Sequence, residues 1–119
     1  MNYYERALAL KEETIAHRRF FHVNAEVGLN MPIAQAYIIK TLQEYGVAAQ
    51  PCGHGVSATI GKGGKTILLR ADIDALPMME RSGEEFACTN GSCHSCGHDL
   101  HGAGLFAAAK MLKERENEL

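Results

Sequence analysis

The sequence predicts an α/β fold, and three observations support this prediction. Apolar residues recur at helical spacing over residues 3–21 and 32–45, and again from about residue 99 onward. Between these stretches lie short apolar runs separated by glycines, a pattern typical of short strands and turns. The expected order is therefore helix, helix, three strands, a long loop and a helix. With 119 residues, the chain has room for one domain.

The first two helices have recognisable boundaries. Apolar side chains spaced among Glu, Lys and Arg predict one amphipathic helix from Tyr3 to Phe21. The second helix has Pro32 in its first turn, and Asn30 is placed to cap it. Gly46 is a natural C-terminal stop for this helix.

The strands are predicted from three runs, "VAAQPCG", "GVSATIG" and "TILLRADID". Because the turn "KGGK" is rich in glycine and separates the last two runs, it predicts a β-hairpin between them. The segment "TILLR" is apolar enough for a strand that is covered on both faces.

A long loop and a final helix complete the predicted order. The stretch "ALPMMERSGEEFACTNGS" has no sustained period, and loops of this length are often functional. The helix is expected to begin at Asp99 or His101. Its small residues, in "GAGLFAAAK", indicate close packing against other structure.

Composition excludes several classes of function. A 46% apolar content and a net charge of −2 indicate a globular protein without the basic surface that nucleic acid requires. The apolar runs are too short for a membrane span, and the N-terminus lacks the basic and apolar regions of a signal peptide. We therefore expect a cytoplasmic protein with neither nucleic acid nor membrane as partner.

Two carboxylates follow the predicted central strand in "RADIDALP". Asp72 and Asp74 are two residues apart, so they point the same way if the strand continues through them. Such residues can bind a metal or orient a metal-bound imidazole. They can equally be solvated turn carboxylates.

The densest cluster of chemically active side chains is "CHSCGHDLH". Cys96 and His98 are separated by one glycine, which lets both side chains turn toward a single ion. Thiolate and imidazole together suit Zn²⁺ or a neighbouring transition metal. Three further side chains are near enough to be ligands or their hydrogen-bond partners: His94, Asp99 and His101.

Other interpretations of this cluster remain open. Its histidines can simply line a polar loop. Cys88, Cys93, Cys96 and His98 can form a closed structural zinc site, and Cys93 with Cys96 can form a redox pair. Disulfides are disfavoured because no secretion signal is seen.

Three blocks of the sequence resemble a known family. They are "RRFFHVNAEVGLNMPIAQAYIIKTLQEYGV", "RADIDALP" and "CHSCGHDLHGAGLFAAAKML". In this order they resemble the amidohydrolase branch of the aminoacylase and carboxypeptidase G metallopeptidases, which includes hippurate hydrolases and auxin-conjugate hydrolases. The resemblance spans almost the whole chain. It implies the N-terminal part of a zinc-peptidase-like three-layer α/β catalytic domain, covering residues 1–119.

The resemblance also implies an activity and a set of site residues. The activity is hydrolysis of the amide bond of N-acyl amino acids at a centre of two divalent metals, which can be Zn, Mn, Co or Ni. Cys96 and His98 fall on the metal-binding positions, with Cys96 as the bridging ligand. Asp74 falls on the aspartate that supports the site. Asp99 and His101 fall on motif positions close to the metals.

The sequence departs from the family pattern in three places. Ala25 precedes Glu26 where the family has proline, and Cys93 replaces an apolar residue. Family members continue into a glutamate pair that supplies the general base, into further histidines and into a dimerisation domain. None of these follows His101 here. We therefore expect a partial catalytic domain that is inactive alone, with its oligomeric state open. The alternative is a small structural Cys/His metal-binding or interaction module without catalysis.

Overall fold

The computed structural model describes all 119 residues as four α-helices and one two-stranded sheet, which confirms the α/β class. The elements are α1 (Tyr3–Ala9), α2 (Lys11–Val23), α3 (Pro32–Glu44), β1 (Ala49–Cys52), β2 (Gly55–Ala58) and α4 (His98–Glu114), and a 3₁₀ turn covers Glu116–Glu118. No helix has both the length and the apolar character needed to cross a membrane.

The N-terminal segment forms two helices where the sequence predicted one. The break falls at Leu10, which leaves helical geometry with a ψ of 5° and is buried. Neither proline nor glycine marks this point, so the break follows from packing rather than from propensity. In addition, the Arg6 guanidinium donates two hydrogen bonds to Glu114, at 2.6 and 2.9 Å. This ion pair joins α1 to the C-terminal end of α4.

Helix α3 begins at the predicted proline but is capped by a different residue. Met31 occupies the cap position, and no side chain at that position accepts a hydrogen bond. Instead, the Glu26 carboxylate accepts from the backbone N–H groups of Ile33 at 3.1 Å and Ala34 at 2.8 Å. The predicted role of Asn30 is therefore wrong, because a carboxylate from the preceding turn satisfies the free N–H groups.

The β-hairpin lies earlier in the chain than predicted. Strands β1 and β2 are antiparallel, with Ala49 opposite Ala58 and Cys52 opposite Gly55. The connecting turn is Gly53 and His54, and Gly53 has a φ of +59°, which glycine adopts without strain. The glycines of "KGGK" lie beyond the hairpin and join no paired strands.

The segment "TILLR" is not a strand in this structure. It is neither paired nor covered, and Ile67 and Leu68 are 85% and 86% exposed. A strand needs a hydrogen-bonded neighbour, and no strand of this chain pairs with this segment. Backbone pairing begins only further along the chain, where Ala75 forms a single parallel bridge with Val27.

The core forms where α2, α3 and α4 meet. Phe21, Ala34 and Phe106 are buried together, and the rings of Phe21 and Phe106 stack at 5.6 Å between centroids. Gly102 permits the close approach of α4, because a Cβ at this position would lie 2.7 Å from Ile73 Cδ1. Part of the close packing predicted for α4 is therefore formed within this chain, where Gly102 lies against Ile73 and Phe21.

The long loop predicted after the third run is confirmed, and its two ends are joined. Leu76 and Cys93 each donate a backbone hydrogen bond to the carbonyl of the other, both at 2.9 Å. The Ala75 N–H donates to the Glu26 carbonyl at 2.8 Å. These contacts bring the end of "RADIDALP" next to the start of α4.

A buried ionic network links α2, α4 and the loop. The fully buried Asp99 carboxylate accepts hydrogen bonds from Arg18 Nε at 2.8 Å and His22 Nδ1 at 2.7 Å. On the other side of its ring, His22 Nε2 lies 2.8 Å from Glu80 Oε1. Nε2 is not aligned for a directed hydrogen bond to this oxygen, so the two side chains are in close contact without one.

Replacing Gly102 with alanine is expected to destabilise the chain. Alanine would improve helix propensity, but its Cβ would lie 2.7 Å from Ile73 Cδ1 and 3.1 Å from Cε2 of Phe21. The end of the Ile73 side chain can move aside, but the buried Phe21 ring has little room to do so, and overpacking costs about 1–3 kcal/mol. Gly104 is a matched control on the same helix, because a Cβ there meets nothing within 4 Å. Gly104→Ala should therefore stabilise by about 0.5–1 kcal/mol. Urea unfolding of both variants tests this, and equal stabilisation by both would contradict the packing.

Glu80 should make stability depend on pH in the acid range. Burial opposes its ionisation, but hydrogen bonds from Ser82 and from the Cys88 N–H, together with the close contact with His22, outweigh burial and lower its pKa from 4.5 to about 2. Because the folded pKa is the lower one, the stabilisation is complete above about 4.5 and is lost as the pH falls toward about 2.

The variant Glu80→Gln isolates this contribution. At neutral pH it should unfold more easily than the parent chain by about 1–3 kcal/mol, because it loses hydrogen bonds to a charged group. The difference should shrink as the pH falls below about 4.5. Urea unfolding of both chains across this range measures it. A difference that stays constant down to about pH 2 would contradict the assignment.

Candidate metal centre

Three potential metal ligands converge where the extended segment meets the start of α4. One ligand atom each from Asp72, His98 and His101 lies within 4.8 Å of the others. His101 Nδ1 is 2.8 Å from Asp72 Oδ1, and His98 Nε2 is 3.5 Å from Asp72 Oδ2. One carboxylate therefore faces two imidazoles.

Asp74 holds the other side of the His98 ring. His98 Nδ1 donates to Asp74 Oδ1 at 2.8 Å and approaches the Asp74 carbonyl at 3.0 Å. Because the ionised carboxylate can only accept, this contact places the ring hydrogen on Nδ1 and leaves the Nε2 lone pair toward Asp72. Asp72 and Asp74 thus both turn toward His98.

Local backbone geometry orients the two histidines. Gly97 has a φ of +92°, a left-handed conformation that lets the chain turn directly into α4. His98 and His101 are three residues apart on this helix and so share one face. Their rings are nearly parallel, at 24°, with centroids 5.4 Å apart.

The charges of the cluster shift pKa values in opposite directions. The hydrogen bond from His101 lowers the pKa of Asp72. Burial disfavours the charged form of His98, but the hydrogen bond to Asp74 and the charges of Asp72 and Asp74 outweigh it and raise the pKa of His98. The cluster thus attracts positive charge, whether it comes from protons or from a metal ion.

The cysteines do not converge on a common point. Cys96 is exposed, and its thiol is not part of the group formed by Asp72, His98 and His101. Cys88 and Cys93 are buried, and Cys88 packs against Ala25 and Ala75. All four cysteines are free. The closed zinc site of Cys88, Cys93, Cys96 and His98 that the sequence left open is therefore not formed.

Asp99 and His94 are not part of the cluster. The Asp99 carboxylate is occupied by Arg18 and His22. His94 is buried with Nδ1 unpartnered, and burial lowers its pKa. The resemblance places Asp99 close to the metals, and in this structure its carboxylate joins the start of α4 to Arg18 and His22 of α2.

Sequence reasoning missed three residues that support the site: Arg18, His22 and Glu80. Arg18 and His22 lie 81 and 77 residues before Asp99, so no local spacing connects them. The available signal was the block "RRFFH" on an amphipathic helix. Charged side chains that become buried are normally paired, so this block indicated that an acidic partner lies nearby in the fold.

The donor set of the cluster fits a divalent transition metal. Two imidazoles and one carboxylate are ligands typical of Zn²⁺ sites with an open coordination position. The same nitrogen and oxygen donors are compatible with other first-row divalent ions. Asp74 adds the carboxylate that commonly orients a metal-bound histidine.

Comparison with known proteins agrees with this chemistry. The model of "Peptidase family M20/M25/M40" matches residues 68–119. The N-acetyl-L-cysteine deacetylase of Bacillus subtilis (strain 168) is 40% identical over 92% of this chain and 28% of its own length. The N-acyl-L-amino acid amidohydrolase of Geobacillus stearothermophilus is 33% identical over 92% of this chain and 31% of its own length.

A solved structure supports the same relationship. A Bacillus subtilis protein described as a dinuclear metal binding peptidase of the M20 family superposes with a TM-score of 0.87 and 32% identity, over 93% of this chain and 33% of that protein. The chain thus spans roughly a third of the length of its relatives. The family match over residues 68–119, the similar sequences and the shared fold together relate this chain to peptidase family M20/M25/M40.

Proposed function

We propose that this chain supplies part of the active site of a metal-dependent amidohydrolase that cleaves the amide bond of small N-acyl amino acids. The observation that carries the proposal is His98, which lies in the "CGH" motif. Its Nδ1 is held by Asp74 at 2.8 Å, and its Nε2 is directed toward a second carboxylate. The names of the relatives, a deacetylase and an N-acyl amino acid amidohydrolase, support the substrate class.

In this proposal Cys96 and His98 bind the divalent metals of the complete centre, and Asp74 orients the His98 ring. A bound pair of metals would polarise the amide carbonyl and lower the pKa of a water molecule. Asp74 contributes by fixing which nitrogen of His98 carries hydrogen, so that the other is free to bind metal. The exposure of Cys96 leaves its thiol accessible to such a metal.

The general base of the reaction is proposed to come from outside residues 1–119. The glutamates that follow His101 are engaged in ion pairs: Glu114 with Arg6, Glu116 with Lys113 and Glu118 with Arg115. Glu114 is 16 residues after His98 on the same helix, or about 24 Å away at 1.5 Å per residue. None of these carboxylates can therefore reach the cluster.

The extended segment after the hairpin supports a partial domain. Ile67 and Leu68 are almost fully exposed, whereas the residues that follow lead directly to Asp72. An apolar run of this kind is expected to pair with further strands. We propose that such strands, and a dimerisation domain, belong to the whole protein.

The proposal is tested by measuring hydrolysis of N-acetyl and N-benzoyl amino acids in the presence of Zn²⁺ or Mn²⁺. We expect no turnover from the 119-residue chain, because the base is missing. A protein that contains this chain together with the remainder of a relative's length should be active. Cys96→Ala and His98→Ala should each lower its kcat/KM by at least about 100-fold, since each removes a ligand.

The control variant is His54→Gln in the exposed hairpin turn, which should leave activity unchanged. Metal-dependent turnover by the 119-residue chain alone would overturn the proposed division of the site. Full activity after replacement of both Cys96 and His98 would overturn the proposed function.

A further inference from the structure

We propose that Cys93 is a site of reversible modification, where its thiol forms a mixed disulfide with a small amino acid disulfide held in the adjacent cavity. The sequence draws attention to this position, because Cys93 replaces an apolar residue of the family pattern. The site is separate from the proposed metal centre and uses neither Cys96 nor His98.

A cavity opens beside Cys93, between α2 and the long loop. Its volume is about 620 Å³, which lies within the range of about 300–1,000 Å³ that is typical of small-molecule sites. Cys93 forms part of the wall together with His22 of α2 and the loop residues from Met78 to Ser82. A small molecule in this cavity therefore lies next to Cys93, although the residue is only 7% exposed.

Two imidazoles in the cavity wall have a ring nitrogen without a hydrogen-bond partner. These atoms are Nε2 of His22 and Nδ1 of His94, in residues that are only 5% and 6% exposed. A buried polar atom without a partner destabilises the folded chain, and a ligand that hydrogen bonds to it removes this cost. The two nitrogens therefore indicate that the cavity suits a polar molecule.

Charges of both signs line the cavity. The Glu80 carboxylate is ionised at neutral pH, since its hydrogen bonds lower its pKa to about 2, and the Arg81 guanidinium is exposed beside it. An ammonium group is attracted to the first and a carboxylate to the second. An amino acid disulfide such as cystine carries both groups together with a reactive sulfur.

Ser95 supports the reactive form of the thiol. Its hydroxyl oxygen lies 3.1 Å from Cys93 Sγ and 3.3 Å from Met78 Sδ. The hydroxyl has one hydrogen to donate, and a thiolate accepts it more strongly than a thioether does. When Cys93 loses its proton, this hydrogen bond therefore stabilises the thiolate, which is the form that attacks a disulfide.

The proposed step is a thiol–disulfide exchange. The Cys93 thiolate attacks one sulfur of cystine, so that a new S–S bond forms while the S–S bond of cystine breaks. The electron pair of the broken bond leaves with the second cysteine as its thiolate, and water carries the proton lost from Cys93 to that thiolate. One disulfide is exchanged for another, so no further oxidant is needed, and an added thiol reverses the step.

The competing explanation is that Cys93 is an inert thiol that reacts only when the chain unfolds. Cys88 provides an internal reference, because it is 3% exposed, packs against Ala25 and Ala75, and is not part of the cavity wall. If burial alone controlled reactivity, Cys88 and Cys93 would be equally unreactive in the folded chain.

The test uses the 119-residue chain with Cys52→Ser and Cys96→Ser, because these two exposed cysteines would react with any disulfide. After incubation with cystine at neutral pH, we expect mass spectrometry to find one added cysteine per chain. Peptide mapping should place it on Cys93, with Cys88 unmodified, and dithiothreitol should remove it. Adding Cys93→Ser should abolish the adduct.

Two further comparisons separate the cavity from simple exposure of the thiol. Ser95→Ala should slow the reaction at least about threefold, because the thiolate loses a hydrogen bond. A disulfide that carries a polyethylene glycol chain is too large for the cavity and should modify Cys93 only in urea. Thermal unfolding of each variant checks that it is folded.

Three outcomes would overturn the inference: no adduct on the folded chain, equal modification of Cys88 and Cys93, or equal rates with cystine and with the polyethylene glycol disulfide. Hydrolysis by the whole protein is measured separately, and none of these outcomes changes it. The failure of this inference and that of the proposed function can therefore be told apart.

Discussion

The fully buried carboxylate of Asp99 is the interaction on which the rest of the structure depends. Removing a carboxylate from water is costly, and it is tolerated only where cations and hydrogen-bond donors surround the group. Arg18 and His22 provide them at 2.8 and 2.7 Å, so α2 and the start of α4 are fixed together. Loss of one partner would leave a buried charge uncompensated, at a cost of about 3–5 kcal/mol. His98 immediately precedes Asp99, and the position of the metal cluster therefore depends on this pairing.

The candidate metal cluster of Asp72, His98 and His101 combines one local constraint with one distant contact. The local constraint is the helix, which sets His98 and His101 on one face, stacked at 5.4 Å. The distant contact comes from Asp72 and Asp74, which reach the helix because Ala75 and Leu76 are tied to Glu26 and Cys93 by backbone hydrogen bonds. Carboxylates from an irregular segment can thus orient imidazoles on a rigid helix. Rigid support of this kind is what a metal site requires.

The surface of the chain differs between its two sides. The side formed by α2, α3 and α4 is packed around Phe21 and Phe106, whereas Ile67 and Leu68 on the extended segment have no cover. Gly102 and Gly104 show the same contrast within one helix, since one contacts Ile73 and the other faces open space. The packed side holds the site in place, and the open side is where the proposed remainder of the domain would bind.

The sequence by itself determined the α/β class, the positions of α3 and α4 and the long loop, because these depend on periodicity, glycines and local motifs. It could not determine the break at Leu10, the capping of α3 by Glu26 or the position of the hairpin, since packing and distant hydrogen bonds decide them. The network of Arg18, His22 and Glu80 likewise has no local signal. Only the tertiary structure decided that His98 is grouped with Asp72 and His101 while Cys96 lies outside the group. The physical reason is that a metal site is defined by distances in space, and spacing along the chain fixes those distances only within a single helix turn.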